Sequence, residues 1–419
     1  MPSRVPGRSP TLRLTLVLLF LASGARAQQA ASAGGGALQG KIMTVTGPIA
    51  PAELGITLMH EHLFIDIRFP GRDYSRPPRG ISEQERRILR SAGLPVPETA
   101  EQIAFWNHSE FSADLIDGLR KGWMTKAWLQ ITDEGLVRSE VLEFRRAGGD
   151  GVVDVTPIGL GRDPEKIRRM ARATGLHVVM GTGWYRWPWH SPDVGSRTIE
   201  SLAGEMVRDI TEGVGATGIH AGIIGEVALD TRGMRRGQPP GAYDAEEIKA
   251  LRAAARASRR TGASITLHSP VALDGSVSFL DTLAAEGADL HRVIVGHACA
   301  KFGELKHMKE ILARGAYLQC DELGVLNSWT GVEPSIDRSR RVAAGIVAAI
   351  GAGYVDQLLV SHDISEPQML RRYGGSGFTY ISDFFLPYLK TLGVTDEEIR
   401  TIMVENPRRV LTLVAGRGS

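Results

Sequence analysis

From Lys41 onward, apolar and polar positions alternate between two rhythms. Short runs rich in β-branched and apolar residues recur eight times: Thr57–His62, Gly151–Thr156, His177–Thr182, Ala221–Val227, Ser264–His268, Arg292–His297, Ala316–Asp321 and Gln357–Asp363. Their length and composition predict strands. Between most of them, apolar residues return every three or four positions, as in Glu165–Thr174, Glu246–Thr261 and Phe302–Arg314. That spacing predicts amphipathic helices packed by one face. Strands separated by helices predict parallel βα units, hence an α/β fold. A closed (β/α)8 barrel (a TIM barrel) fits better than an open doubly wound sheet. No glycine-rich nucleotide fingerprint follows an early strand, and the informative polar residues fall at many strand ends rather than at one crevice.

The rhythm breaks once. Arg68–Asp150 separates the first two strands and is far longer than a single crossover helix. It starts rich in Arg and Pro, and Ser82–Ser91 and Ser112–Ala147 then predict helices. Its aromatics Phe105, Trp106, Phe111, Trp123 and Trp128 suit either a cap over a barrel mouth or a packed structural insertion. The reading is one barrel domain over residues 41–414, with residues 68–150 inserted after its first strand.

The N-terminus follows a different logic. Arg4, Arg8 and Arg13 precede the short apolar run Leu14–Leu21, and Ala25–Arg26–Ala27 has the small-x-small form of a cleavage site. This predicts a signal peptide over residues 1–27, cleaved after Ala27, and a periplasmic or secreted product. The run is too short to span a bilayer. Residues 28–40, made mostly of Gln, Ala, Ser and Gly, predict a disordered lead. The formal charge of +2 includes Arg4, Arg8, Arg13 and Arg26, so removing the leader turns it into −2. A near-neutral remainder gives no footprint for nucleic acid or for an anionic membrane surface. Two cysteines, Cys299 and Cys320, are too few for a disulfide framework, although an exported chain is free to bridge them.

Chemistry concentrates at the C-terminal ends of the expected strands, the barrel face that carries catalytic groups. The first strand ends in His60–Glu61–His62, and residues i and i+2 of a strand share a face. The fourth carries a lone carboxylate, Glu226, in an apolar run; the fifth ends at His268, the sixth at His297, and the eighth at His362–Asp363. Any one of these has a structural explanation. Together they predict a metal centre, because a buried carboxylate needs a strong partner and divalent cations supply one. Strand alternation sends His362 and Asp363 to opposite sides, and Asp363 is the one expected inside, as ligand and proton acceptor. His362 is expected outside the centre or hydrogen-bonded behind it. Trp184 and Tyr185, after the third strand, suit either an apolar wall for substrate or packing between loops.

These residues carry a resemblance to the phosphotriesterase family of the amidohydrolase superfamily. The matching stretches are Gly55–Leu63, Gly181–Tyr185, Gly222–Glu226, Thr266–His268, Val295–His297, Ser361–Asp363, Arg372–Gly375 and Glu405–Arg409. The resemblance implies a barrel with a binuclear, often zinc, centre. It makes His60, His62 and Asp363 ligands of the more buried metal and His268 and His297 ligands of the more exposed one. The bridging position falls on Glu226, where organophosphate-degrading members have a carbamylated lysine. Glutamate there resembles the branch called phosphotriesterase homology proteins. The organophosphatases' proton relay is absent in its usual form: its places read Ala300 and Glu322, the latter beside Asp321, and Asp321 or Glu322 is left open as a substitute. The expected activity is metal-assisted hydrolysis of a small lactone or carboxylic ester. An organophosphate triester and a barrel that binds without turnover are the alternatives, and a homodimer is left open.

Overall fold

Eight parallel strands form the centre of the computed structural model, which describes residues 38–68, 80–91, 95–108, 110–190, 194–230, 241–268, 277–299, 305–324 and 335–417. They are β1 (Thr57–Glu61), β2 (Gly151–Asp154), β3 (His177–Thr182), β4 (Ile223–Ala228), β5 (Ile265–His268), β6 (Val293–Val295), β7 (Tyr317–Cys320) and β8 (Leu358–Val360). Each pairs in parallel with its neighbours in chain order. The last returns to the first: Asp363 N donates to His60 O at 3.1 Å, and His62 N donates to Ile364 O at 3.3 Å. The sheet is therefore a closed barrel, as expected.

Burial on both faces explains the strand sequences. Met59, Val153, Val155, Val179, Ile223, Ile294, Tyr317 and Leu359 share one interior cluster with Ile42, Leu54, Val410 and Leu411. Their neighbours Leu58, Val152, Val178, Ile224, Val295, Leu318, Leu358 and Val360 face the surrounding helices. Parallel strands covered on both sides read as continuous apolar runs rather than strict alternation. Helix ends follow local chemistry. Pro164–Thr174 starts with the Asp163 carboxylate accepting from Lys166 N and stops at Gly175, left-handed at φ 71°. Ala245–Thr261 is delimited in the same way by Asp244 and Gly262.

The insertion departs from expectation. Ser112–Ala147 is broken rather than continuous. A short helix, Ile116–Arg120, is followed by a 3-10 turn at Lys126–Leu129 and a strand, Gln130–Ile131, before Glu134–Arg146. That strand pairs with Ile65–Asp66, a nonlocal contact that local periodicity does not register. The Thr125 and Asp133 side chains cap the two restarts. Glu134–Arg146 is the crossover helix into β2, so the true insertion ends before it. Earlier in the insertion, Glu83–Ser91 and Ala100–Trp106 are helical. Trp106 is wholly buried and Trp128 nearly so, which makes these two rings packing elements. Trp128 also ties the insertion to the loop after β8, through Nε1 donated to Glu366 Oε2 at 2.6 Å.

The expected signal peptide and most of the lead lie outside the described residues, as does much of the Arg/Pro-rich stretch, residues 69–79. The helix expected at Phe302–Arg314 runs Leu305–Leu312, and residues 300–304 also lie outside. Among the described residues, no helix is long and apolar enough to cross a membrane.

Candidate metal centre

The C-terminal ends of β1, β4, β5 and β6 and the loop after β8 bring the six expected side chains around one point. His62 Nε2 and His60 Nε2 lie 3.3 and 3.7 Å from Asp363 Oδ1. Glu226 faces both groups of histidines. Its Oε2 is 3.4 Å from His60 Nε2, 3.4 Å from His268 Nδ1 and 3.8 Å from His297 Nε2, while Oε1 is 3.7 Å from His62 Nε2. A further acid, Glu322, joins His297 and Asp363 in a potential ligand group.

Backbone geometry aims these groups. His297, Glu322 and Asp363 are the non-glycine residues at positive φ (55°, 60° and 61°) among those described, and all three stand at this site. Such conformations are uncommon and persist where surrounding structure enforces them. Before Glu226, Gly225 has φ 124°, and a Cβ there would collide with the Thr266 carbonyl. Only glycine lets β4 pass β5 this closely while presenting Glu226.

Carboxylates behind the histidines set their orientation. Asp321 Oδ1 meets His297 Nδ1 at 2.8 Å, and its Oδ2 accepts from His297 N and lies 3.4 Å from His60 Nδ1. One buried acid thus stands behind an imidazole from each half of the site. Burial opposes its ionisation, but His297 and His60 hold its pKa below the usual value. Thr156 Oγ1 meets His62 Nδ1 at 2.9 Å. Orienting partners of this kind fix which ring nitrogen points at a metal.

Glu61 plays a role that sequence reasoning missed. Its Oε1 accepts from Ser361 Oγ (2.7 Å), His362 N (2.9 Å) and His362 Nδ1 (2.8 Å), and its Oε2 accepts from Ile364 N (2.9 Å). Burial disfavours the charged form, yet His362 and these hydrogen bonds lower its pKa. Glu61 therefore clamps the loop that carries Asp363 onto β1. His362 is wholly buried behind the site, within the clamp. The argument that placed Asp363 inside needs correction, because β8 ends at Val360 and the left-handed turn at Asp363, not strand alternation, does the aiming.

The two candidate substrate residues separate. Trp184 is 1 % exposed, with the Arg197 guanidinium 5.4 Å over its ring, so it is core packing rather than a wall of the mouth. Tyr185 turns the other way and brings its hydroxyl within 3.3 Å of His268 Nδ1. Burial, Glu226 and Asp363 together raise the phenol's pKa, so it remains protonated. Cys299 and Cys320 form a disulfide that joins the turn after His297 to the strand before Asp321.

The donor set fits divalent cations. Both ring nitrogens of His60 and Oε2 of Glu226 are buried without a hydrogen-bond partner among the described residues. Their neighbours at 3.4 Å and beyond fall outside hydrogen-bond geometry. Buried polar atoms are almost always satisfied, so orphans converging from different strands mark a place for a ligand. Burial would lower the pKa of His60, but Glu226, Asp321 and Asp363 push it up to about 10. The carboxylates outweigh the positive charge present, and cations bound by imidazole and carboxylate would balance them.

Comparison with known proteins places the fold in a family. An N-acetyltaurine hydrolase of Dictyostelium discoideum is 31% identical over 389 residues, covering 90% of this chain and 98% of that protein. The crystal structure of a resiniferatoxin-binding protein from Rhodobacter sphaeroides is 33% identical with a TM-score of 0.75, over 89% of this chain and 95% of that one. The phosphotriesterase homology protein of Escherichia coli, crystallised with phosphate in its active site, is 25% identical with a TM-score of 0.64, over 86% and 99%. A model of the phosphotriesterase family matches residues 40–411, and the chain belongs to that family.

Proposed function

We propose that this phosphotriesterase-family hydrolase is an exported, binuclear enzyme that cleaves a small lactone or carboxylic ester. The observation that carries the reading is the set of orphaned donor atoms on His60 and Glu226, shared between two groups of histidines. His60, His62 and Asp363 would hold one cation and His268 and His297 the other, with Glu226 between them. Zinc suits imidazole and carboxylate donors in this arrangement. When bound, the cations would supply Lewis acidity, lowering the pKa of water and polarising the scissile carbonyl.

The chain's own residues do the rest. Asp363 Oδ1, turned inward beside His60 and His62, accepts the proton of the attacking water and returns it to the leaving oxygen. Tyr185 keeps its proton and offers a hydrogen bond beside the partly exposed His268. Asp321 holds His297 in place through the reaction. The expected leader would deliver the chain to the periplasm or beyond. The substrate is a small molecule, and a homodimer is compatible with the reading.

An N-acyl amide is the second reading, favoured by the name of the Dictyostelium relative. Attack at an amide carbonyl asks the same of Asp363. A phosphotriester and ligand binding without turnover remain as outcomes of the test. The zinc-loaded protein is assayed on ester, lactone, N-acyl amide and phosphotriester panels, with and without chelator, while metal is counted per chain. Two metals and chelator-sensitive, saturable ester or lactone hydrolysis support the proposal. One metal per chain overturns the bridging role of Glu226. Absence of turnover on every panel leaves a binding protein.

A further inference from the structure

The end of the barrel opposite the metal centre holds a cavity of about 740 Å³. It opens beneath the N-terminal ends of β5 to β8, and the C-terminal segment Val414–Arg417 runs along it. Four arginines line it (Arg259, Arg292, Arg409 and Arg417) against two aspartates, Asp289 and Asp356.

The pairing inside the cavity is uneven. Arg409 Nη2 contacts Asp356 Oδ1 at 3.2 Å, so those two largely cancel. Arg292 is 8% exposed and has no ion pair among the described residues; its Nη2 donates to the carbonyls of Val410 (2.9 Å) and Thr412 (2.7 Å). Its Nε is buried without a partner, and Nη1 has no hydrogen bond among the described residues. The side chains of Arg259 and Arg417 also have no acidic partner there. The backbone holds these two arginines together, because Arg417 N donates to Arg259 O at 2.7 Å.

A buried guanidinium with unused donors is costly unless a ligand completes it. Burial pulls the pKa of Arg292 below the ordinary value, and Asp289 offsets this only in part. Guanidinium forks match oxyanions in geometry as well as charge. The cavity is also far larger than one oxyanion and lies within the roughly 300–1,000 Å³ typical of small-molecule sites. Space is kept open by Gly315, where a Cβ would meet the His291 ring, and by Gly287, where one would meet Arg259.

We infer that this cavity is a second ligand site, separate from the metal centre, that binds an organic anion bearing a phosphate-type group through Arg259, Arg292 and Arg417. The oxyanion sits among the three guanidinium groups, and the organic part fills the remaining volume.

Calorimetric titration of the zinc-loaded full chain tests this, with phenyl phosphate and inorganic phosphate as probes. Phosphate occupies the active site of the Escherichia coli phosphotriesterase homology protein, so an event at the metal centre is expected beside the one at this cavity. In the double variant Arg259→Gln/Arg417→Ala one event weakens at least tenfold, while the other event, the metal content and the thermal midpoint stay unchanged. Phenyl phosphate binds the variant-sensitive site at least tenfold more tightly than inorganic phosphate. Phosphate binding that the double variant leaves unchanged, whether in one event or two, overturns the site. Equal affinity for the two probes overturns the organic ligand.

Discussion

His60, His62 and Asp363 lie on the barrel's closing seam, whereas His268 and His297 stand on neighbouring strands inside the sheet. The seam half is clamped: His60 is fully buried, and Glu61 holds the loop carrying the partly exposed Asp363 with four hydrogen bonds. The sheet half has one partly exposed member. His268 is 20% exposed and meets a tyrosine hydroxyl, and His297 depends on Asp321 and on a nearby disulfide. One half is redundantly braced by contacts 300 or more residues apart in sequence. The other is held by partners close by, with His297 meeting His268 at 2.8 Å, and its His268 edge is partly exposed. A hydrolase needs both properties, a fixed cluster of charge and an accessible edge.

Substitutions should separate the halves. The largest expected effect is Asp363→Asn. Loss of a proton acceptor lowers kcat by roughly 10²–10⁴, with folding retained by circular dichroism. Unaltered turnover would show that the seam half holds metal and does no chemistry. Next is Glu61→Gln, which breaks a buried charged network and should cost about 3–5 kcal/mol of stability in urea titrations. Metal bound by His60, His62 and Asp363 should be lost first. If instead both metals and the stability persisted, the clamp would not be what holds the seam. Asp321→Asn should act more mildly, weakening metal affinity by about 10–100-fold. Because Asp321 backs an imidazole from each half, competition with a chelating dye should show both metals loosened; loss of one alone would break the symmetry claimed for it.

The smallest effect concerns pH. His60 in the metal-free protein has its pKa raised from 6.5 to about 10. A raised basic group contributes stability that is complete below pH 6.5 and fades as pH rises through 10. The chelated protein should therefore lose several degrees of thermal midpoint across that window, and the zinc-loaded protein should hold its midpoint. Parallel melting curves decide the matter, and a flat curve for the chelated protein would remove His60 from the account.

Much of this was legible because the chain repeats one simple unit. Strands buried on both faces advertise themselves as apolar runs, so a histidine or glutamate at their ends stands out. Glu61 did not stand out: between two histidines it reads as a spacer, and its partners at Ser361 to Ile364 become neighbours only when the barrel closes. Trp184 and Tyr185 are adjacent aromatics with no sequence cue to tell core from mouth. The break in Ser112–Ala147 depended on a pairing with Ile65–Asp66 that no local window contains. What periodicity carries was readable, and what closure creates was not.

Closure also sets when the site exists. His60 N bonds Ser361 Oγ across 301 positions, and the Glu61 clamp spans as many. The first and last strands must both be in place before the seam half can form. Metal uptake is thus a report that synthesis and folding are complete: a fragment ending before Ser361 has only part of the donor set, however well its earlier units pack. A chain carried unfolded across a membrane would arrive without its metals and would have to acquire them on the far side.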